Sequence, residues 1–264
     1  MSTYPDLSSL DINTATDGLL SQIFSVREGE RKTWELSIPE STESVELLDG
    51  SWAHVWGDGP PVLLAHGFEG RYSQFAKVIE ATRNSGFKLV GLEMPGHGRS
   101  HALRADPLSF SIAIQAAYSE FGAFHTTIGH SQGANAVLHA SANGVVSSRI
   151  VLLAPLVSVE SHLRRACTLV KLSAEGTELF LRKITELVEV PPSDFEGHVI
   201  GSTLNMRTLI VHDRRDKEVP ISEAETLVNE MSLARLHISD GLGHRRLLAD
   251  PDTVNQVVSL MNET

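Results

Sequence analysis

The run Gly129-His130-Ser131-Gln132-Gly133 is the part of this chain that most directly suggests chemistry. It follows the segment Thr126-Thr127-Ile128, which reads as a strand, and precedes a helix-forming stretch from Ala134 to Ala140. A serine between two glycines at a strand-to-helix turn can be exposed while its backbone is held in a strained conformation. The helix start directs backbone N–H groups and positive dipole toward negative charge developing beside that serine. A hydroxyl is a poor nucleophile until a base takes its proton, and the base needs a carboxylate to fix its tautomer. The pattern therefore asks for a histidine and an acid further along the chain.

The chain has 12 histidines, so position must choose among them. His244 ends the run Asp240-Gly241-Leu242-Gly243-His244, just after the last predicted strand, where glycines allow a loop to swing the ring back over the sheet edge. His237 lies inside that strand and His139 on a helix, while His66, His97 and His130 sit beside loop glycines and read as geometric residues. The acid is sought in His212-Asp213-Arg214-Arg215-Asp216-Lys217-Glu218-Val219-Pro220, which follows a strand. Asp216 is chosen, four residues before Pro220, with Asp213 as the alternative; either could instead be a loop carboxylate paired with Arg214 or Arg215. Two backbone N–H groups are expected to form an oxyanion hole, that of Gln132 and that of Phe68 in His66-Gly67-Phe68-Glu69-Gly70.

Elements that could position these residues follow from the patterning. Trp34 to Ile38 alternates and reads as a strand; Ser44–Leu48 and Ser51–Trp56 flank Asp49-Gly50, a hairpin signal. Pro61–Ala65, Lys88–Glu93, 125–129, Ile150–Leu153, Arg207–His212 and Leu236–Ser239 are short apolar runs suited to buried strands. Helical periodicity separates them, with Phe75, Val78, Ile79 and Thr82 on one face and a further helix over about 108–120. Alternation of this kind implies a mostly parallel sheet with helices on both faces. The stretch 156–206 breaks the rhythm with two helical segments, near 160–172 and 176–190, the second stopping at Pro191-Pro192. Residues 1–30 are weakly patterned; Leu19, Leu20, Ile23 and Phe24 read either as a short helix face or as part of a partly ordered tail.

Five separate features, His66-Gly67 after a strand, Pro95-Gly96-His97-Gly98-Arg99-Ser100, the Gly129–Gly133 run, the Asp216 loop with Val219-Pro220, and Gly243-His244, together resemble the α/β-hydrolase superfamily over roughly residues 44–262. The chain order Ser131, Asp216, His244 is the order of that architecture. The resemblance implies an α/β fold with an eight-strand, mostly parallel sheet flanked by helices, the second strand antiparallel, and a small helical cap inserted after the sixth strand. On that basis residues 31–155 and 207–264 form the core, 156–206 the cap and 1–30 an N-terminal segment. Two departures from the pattern are Glu93, where aspartate is common, and Asp213, where glycine is common.

A chain of 264 residues suits one large domain, and its formal charge of −11 disfavours nucleic acid or an anionic lipid surface as partner. The single cysteine, Cys167, excludes an intrachain disulfide. Met1–Leu10 lacks the pattern of a signal peptide, and no apolar run reaches about 18 residues, so a cytoplasmic, membrane-free protein is expected. Neither a metal motif nor a full dinucleotide fingerprint is present, so no cofactor is expected. The leading expectation is a serine hydrolase that cleaves a small or medium carboxylic ester, thioester or lactone through an acyl-enzyme, with Leu179, Phe180, Ile184 and Leu187 lining an acyl pocket or simply packing on the main domain. Alternatives are a C–C bond hydrolase or lyase on the same residues, and a non-catalytic small-molecule-binding protein. The partner expected is a small-molecule substrate, and the sequence leaves the oligomeric state open.

Overall fold

The computed structural model describes residues 5–27, 29–101 and 104–263. The chain begins with helix α1 (Ile12–Phe24), capped by the Asp11 side chain on the Thr14 N–H. The hairpin β1 (Glu43–Glu46) and β2 (Trp52–Trp56) follows, then β3 (Pro61–Ala65), α2 (Ala76–Thr82), β4 (Lys88–Glu93) and α3 (Pro107–Phe121). Next come β5 (Thr126–His130), α4 (Gln132–Ala142) and β6 (Arg149–Leu153), then three helices without a strand, α5 (Val159–Leu169), α6 (Ala174–Val188) and α7 (Gly197–Thr203). The chain closes with β7 (Arg207–Asp213), α8 (Ile221–Glu230), β8 (Ala234–Ser239), the short α9 (Gly243–Arg246) and α10 (Pro251–Asn262).

Among the described residues the eight strands form one sheet in the order β1-β2-β4-β3-β5-β6-β7-β8. β2 runs antiparallel to both neighbours and the remaining pairs are parallel. This is the eight-strand α/β-hydrolase sheet expected from the sequence.

Side-chain alternation divides the core in two. Leu63 and Ala65 of β3, Ile150 and Leu152 of β6, and Ile210 of β7 face the layer of α3, α4 and α8. Val62, Leu64, Val151, Leu153, Leu209 and Val211 face α2 and α10. A period of two with both faces covered is why these strands read as unbroken apolar runs. A third cluster joins Leu19 of α1 to Leu163 and Cys167 of α5 and Phe180 and Ile184 of α6. Of the two readings of the N-terminal residues, the structure shows the helix: Lys183 of α6 pairs with Asp17 at 2.6 Å. α7 belongs to another layer, packing on α4 and α8.

The segment Trp34–Ile38 departs from expectation. Thr33–Ser37 is a 3₁₀ turn rather than a strand. The cause is Glu35, whose carboxylate is buried and accepts the Lys32 N–H at 2.9 Å and the Ser73 hydroxyl at 2.7 Å, with Arg71 3.7 Å away. Satisfying a buried carboxylate outweighs a weak alternation of five residues.

Candidate active site

β5 ends beneath Ser131, and α4 starts immediately after it. Ser131 has φ +53° and ψ −120°, a region that costs a non-glycine residue roughly 1–3 kcal/mol. The surrounding backbone enforces it. The Ser131 N–H donates to Leu153 O at 3.0 Å, and Ser131 O accepts the N–H groups of Ala134 at 3.0 Å and Leu156 at 3.3 Å. Both glycines of the motif are sterically required. A Cβ on Gly129 would lie 2.5 Å from Ala134 Cα, and one on Gly133 would collide with the carbonyl oxygens of Ala65 and His66.

The loop after β3 crosses this turn closely: a Cβ on Gly67 would sit 2.8 Å from Ser131 Cβ. Phe68 follows Gly67, so its peptide passes beside the serine, and Gln132 supplies the first N–H of α4. Histidines fix the loop. His66 Nδ1–H donates to Gly67 O at 2.8 Å while its Nε2 accepts the Met94 N–H at 3.1 Å. That tautomer requires a neutral ring, and burial, reinforced by His97, drives the His66 pKa well below the usual imidazole range. His97 Nε2 accepts the Glu69 N–H at 2.9 Å, and its Nδ1–H donates to Pro95 O at 2.9 Å. His66 and His97 thus stitch the loops after β3 and β4 together.

His244 lies on α9 and is 7% exposed. Its Nδ1–H donates to Asp216 Oδ2 at 2.7 Å. Asp216 Oδ1 accepts the N–H groups of Glu218 at 2.8 Å and Val219 at 3.0 Å. Burial alone would raise the Asp216 pKa, but His244 and the two backbone donors outweigh it and the carboxyl is held below its ordinary value. His212 lies on the same side; its Nε2–H donates to Val219 O at 3.0 Å and is 3.4 Å from Asp216 Oδ2. His130, next to Ser131, donates Nε2–H to His244 O at 2.9 Å, and the two rings are 4.8 Å apart. His130 therefore ties the serine turn to the backbone that carries His244. Burial beside His244 pushes its pKa down to about 3, so it is neutral at physiological pH.

Asp213, the sequence alternative to Asp216, holds the His244 loop instead. Its carboxylate accepts the Ser239 hydroxyl at 2.8 Å and the N–H groups of Leu242 at 2.9 Å, Arg215 at 2.9 Å and Gly241 at 3.3 Å. Burial opposes its ionisation, yet the backbone N–H groups of Gly243 and Leu242, the Ser239 hydroxyl and the Arg215 N–H bring the pKa down to about 2.

Two further carboxylates border the site. Glu218 Oε2 lies 3.9 Å from His244 Nε2 and 3.5 Å from an Arg245 guanidinium nitrogen. Glu223, in the first turn of α8, accepts the N–H groups of Val157 at 2.6 Å and Ser158 at 3.0 Å, pinning the chain that runs from beside Ser131 into α5. Burial raises its pKa more than those donors lower it. Neither stands out in the sequence: Glu218 looks like loop filler beside Asp216, and Glu223 like an ordinary acid complementing a helix dipole.

The four pocket candidates on α6 separate in space. Phe180 and Ile184 are buried against α1 and α5 in the third cluster, Leu179 is partly exposed, and Leu187 is 42% exposed. Helical spacing places them on one helix but not on one shared surface. Among the described residues, no group of three or more His, Cys, Asp or Glu side chains could hold a metal ion, and no helix is long and apolar enough to cross a membrane.

A family model described as serine aminopeptidase, S33, matches residues 60–194, about half of the chain and including the Ser131 turn. No curated protein matches the chain. Solved structures similar to it include an esterase from Exiguobacterium antarcticum (TM-score 0.65, 17% identity, covering 83% of this chain and 99% of that one). A monoacylglycerol lipase from Paleococcus ferrophilus (TM-score 0.62, 17% identity, 80% and 98% covered) and a meta-cleavage product hydrolase from Pseudomonas fluorescens (TM-score 0.60, 20% identity, 84% and 97% covered) share the fold.

Proposed function

The chain belongs to the S33 serine aminopeptidase family of α/β hydrolases, and from that premise we propose that it is a serine hydrolase cleaving a small or medium carboxylic ester through an acyl-enzyme on Ser131. The observation that carries this reading is the 2.7 Å bond from His244 Nδ1 to buried Asp216, set beside a strained serine turn. With Nδ1 occupied, His244 Nε2 is the free basic nitrogen. Ser131 Oγ attacks the acyl carbon and its proton passes to Nε2. The carbonyl oxygen becomes an oxyanion facing the N–H groups of Phe68 and Gln132. The acyl C–O bond then breaks, and the departing alcohol takes the proton from Nε2. Water repeats the attack on the acyl-enzyme, giving its proton to Nε2, and Ser131 leaves with that proton. The two N–H groups stabilise each tetrahedral state and are worth roughly 10²–10³ in rate apiece.

Helices α5 and α6 stand in this reading as the cap that bounds substrate size, since α5 starts six residues after β6 ends beside Ser131. Steady-state hydrolysis of p-nitrophenyl esters from acetyl to dodecanoyl tests the proposal. Turnover highest on short or medium chains is expected, with kcat falling about 10⁴-fold or more in Ser131→Ala while the fold survives. Equal turnover by that variant contradicts it. Cleavage of a β-diketone with no ester turnover would transfer the same residues to C–C bond hydrolysis, and tight ligand binding without any turnover would favour a binding protein.

A further inference from the structure

A leaving-group subsite rests on the acyl-transfer reading of Ser131, in which the leaving oxygen must come within about 3 Å of His244 Nε2 to collect its proton. Whatever group leaves is therefore brought into the surroundings of that nitrogen. Glu218 Oε2 lies 3.9 Å from the same atom, on a side chain that is 51% exposed. Arg245, whose side chain is 38% exposed, reaches that carboxylate at 3.5 Å. Helix α5 borders the same loop: Arg165 donates to Lys217 O, next to Glu218, at 2.9 Å.

The consequence is chemical. A plain alkyl leaving group would strip water from a carboxylate and a guanidinium while returning no hydrogen bond, which is costly for charged groups. The pair is neutral as a whole, so it offers no net attraction to an ammonium or a second carboxylate. It does present an acceptor and a donor side by side, and a hydroxyl is both donor and acceptor. We propose that Glu218 and Arg245 form a leaving-group subsite that selects esters whose alcohol carries a further hydroxyl two carbons from the scissile oxygen. The acyl group is left to other surfaces; the pair acts on the alcohol alone.

The matched probes are 2-hydroxyethyl butyrate and propyl butyrate, which have the same number of heavy atoms and differ by a hydroxyl for a methyl. The wild-type chain is expected to show kcat/KM at least about 10-fold higher for the hydroxyethyl ester, because a site built to hydrogen-bond a hydroxyl discriminates against the analogue lacking it. In Glu218→Ala and in Arg245→Ala the ratio is expected to fall to about one, whatever their absolute rates. A ratio near one in the wild type overturns the proposal, as does a ratio preserved in both variants. So does turnover of neither probe by a chain that hydrolyses p-nitrophenyl butyrate. Failure on all three esters is instead the failure of the ester-hydrolase reading, and the subsite falls with it.

Discussion

The turn carrying Ser131 is positioned by backbone packed on backbone, whereas the loop carrying Asp216 and the loop that leads into His244 are positioned by carboxylates. On the serine side, Gly129, Gly133 and Gly67 let peptide groups approach to distances that no side chain tolerates, and β6 supplies the N–H acceptor for Ser131. On the other side, Asp216 organises its own loop through the Glu218 and Val219 N–H groups, and Asp213 gathers Ser239, Gly241 and Leu242 of the next loop. His130 joins the halves through the His244 carbonyl. The difference has a practical meaning. The serine half should fail when volume is added, and the acid–base half when charge or proton is changed.

Asp216→Asn should give the largest effect on rate. An amide can donate to His244 Nδ1, which favours the tautomer with hydrogen on Nε2 and leaves that atom unable to accept the serine proton. A fall in kcat of about 10⁴-fold is expected, with unfolding by urea little changed. A loss of less than tenfold would mean that Asp216 does not orient the base. Gly133→Ala should act on the other half, through stability. Its new methyl meets the Ala65 and His66 carbonyls, which are backbone and cannot swing away. A loss of about 3 kcal/mol or failure to fold is expected, read from the denaturation midpoint. If the variant unfolds like the wild type, the close packing described for the turn is wrong.

Asp213→Asn should give the smallest of the three effects, about 1–3 kcal/mol, because half of the acceptor capacity remains. The pH dependence separates it from a packing effect. The folded Asp213 pKa of about 2 lies below the unfolded value near 3.9, so the folded state holds the proton less readily. Its contribution is therefore full above about pH 4 and lost as pH falls from about 4 through 2. Unfolding midpoints of wild type and variant should converge across that window. Parallel curves would place the anchor elsewhere.

The same contrast explains what the sequence could reveal. The serine half is local: a strand, two glycines and a helix start are contiguous, so Ser131 and its turn were legible from a few residues. The sheet was legible for the same reason, since each buried strand is a short apolar run. The acid–base half depends on which carboxylate points where. Asp213, at the end of β7, and Asp216, in the loop after it, are three residues apart, and only the bonds to Leu242 and His244 tell the loop anchor from the histidine's partner. Glu35 shows the same limit, because the long-range bond to Ser73 turns an alternating segment into a 3₁₀ turn. The α6 residues show a related limit: periodicity fixes a helix face, and what that face meets, for Phe180 and Ile184 a cluster shared with α1 and α5, is set by residues far away in sequence.

The central claim is that Ser131 is the nucleophile, and covalent capture tests it most directly. The chain would be incubated with a fluorophosphonate, its intact mass measured, and the modified peptide sequenced. One adduct on Ser131, slowed about 10⁴-fold in Asp216→Asn, is the predicted result. A folded chain that takes up no adduct, or carries it on another residue, would contradict the account.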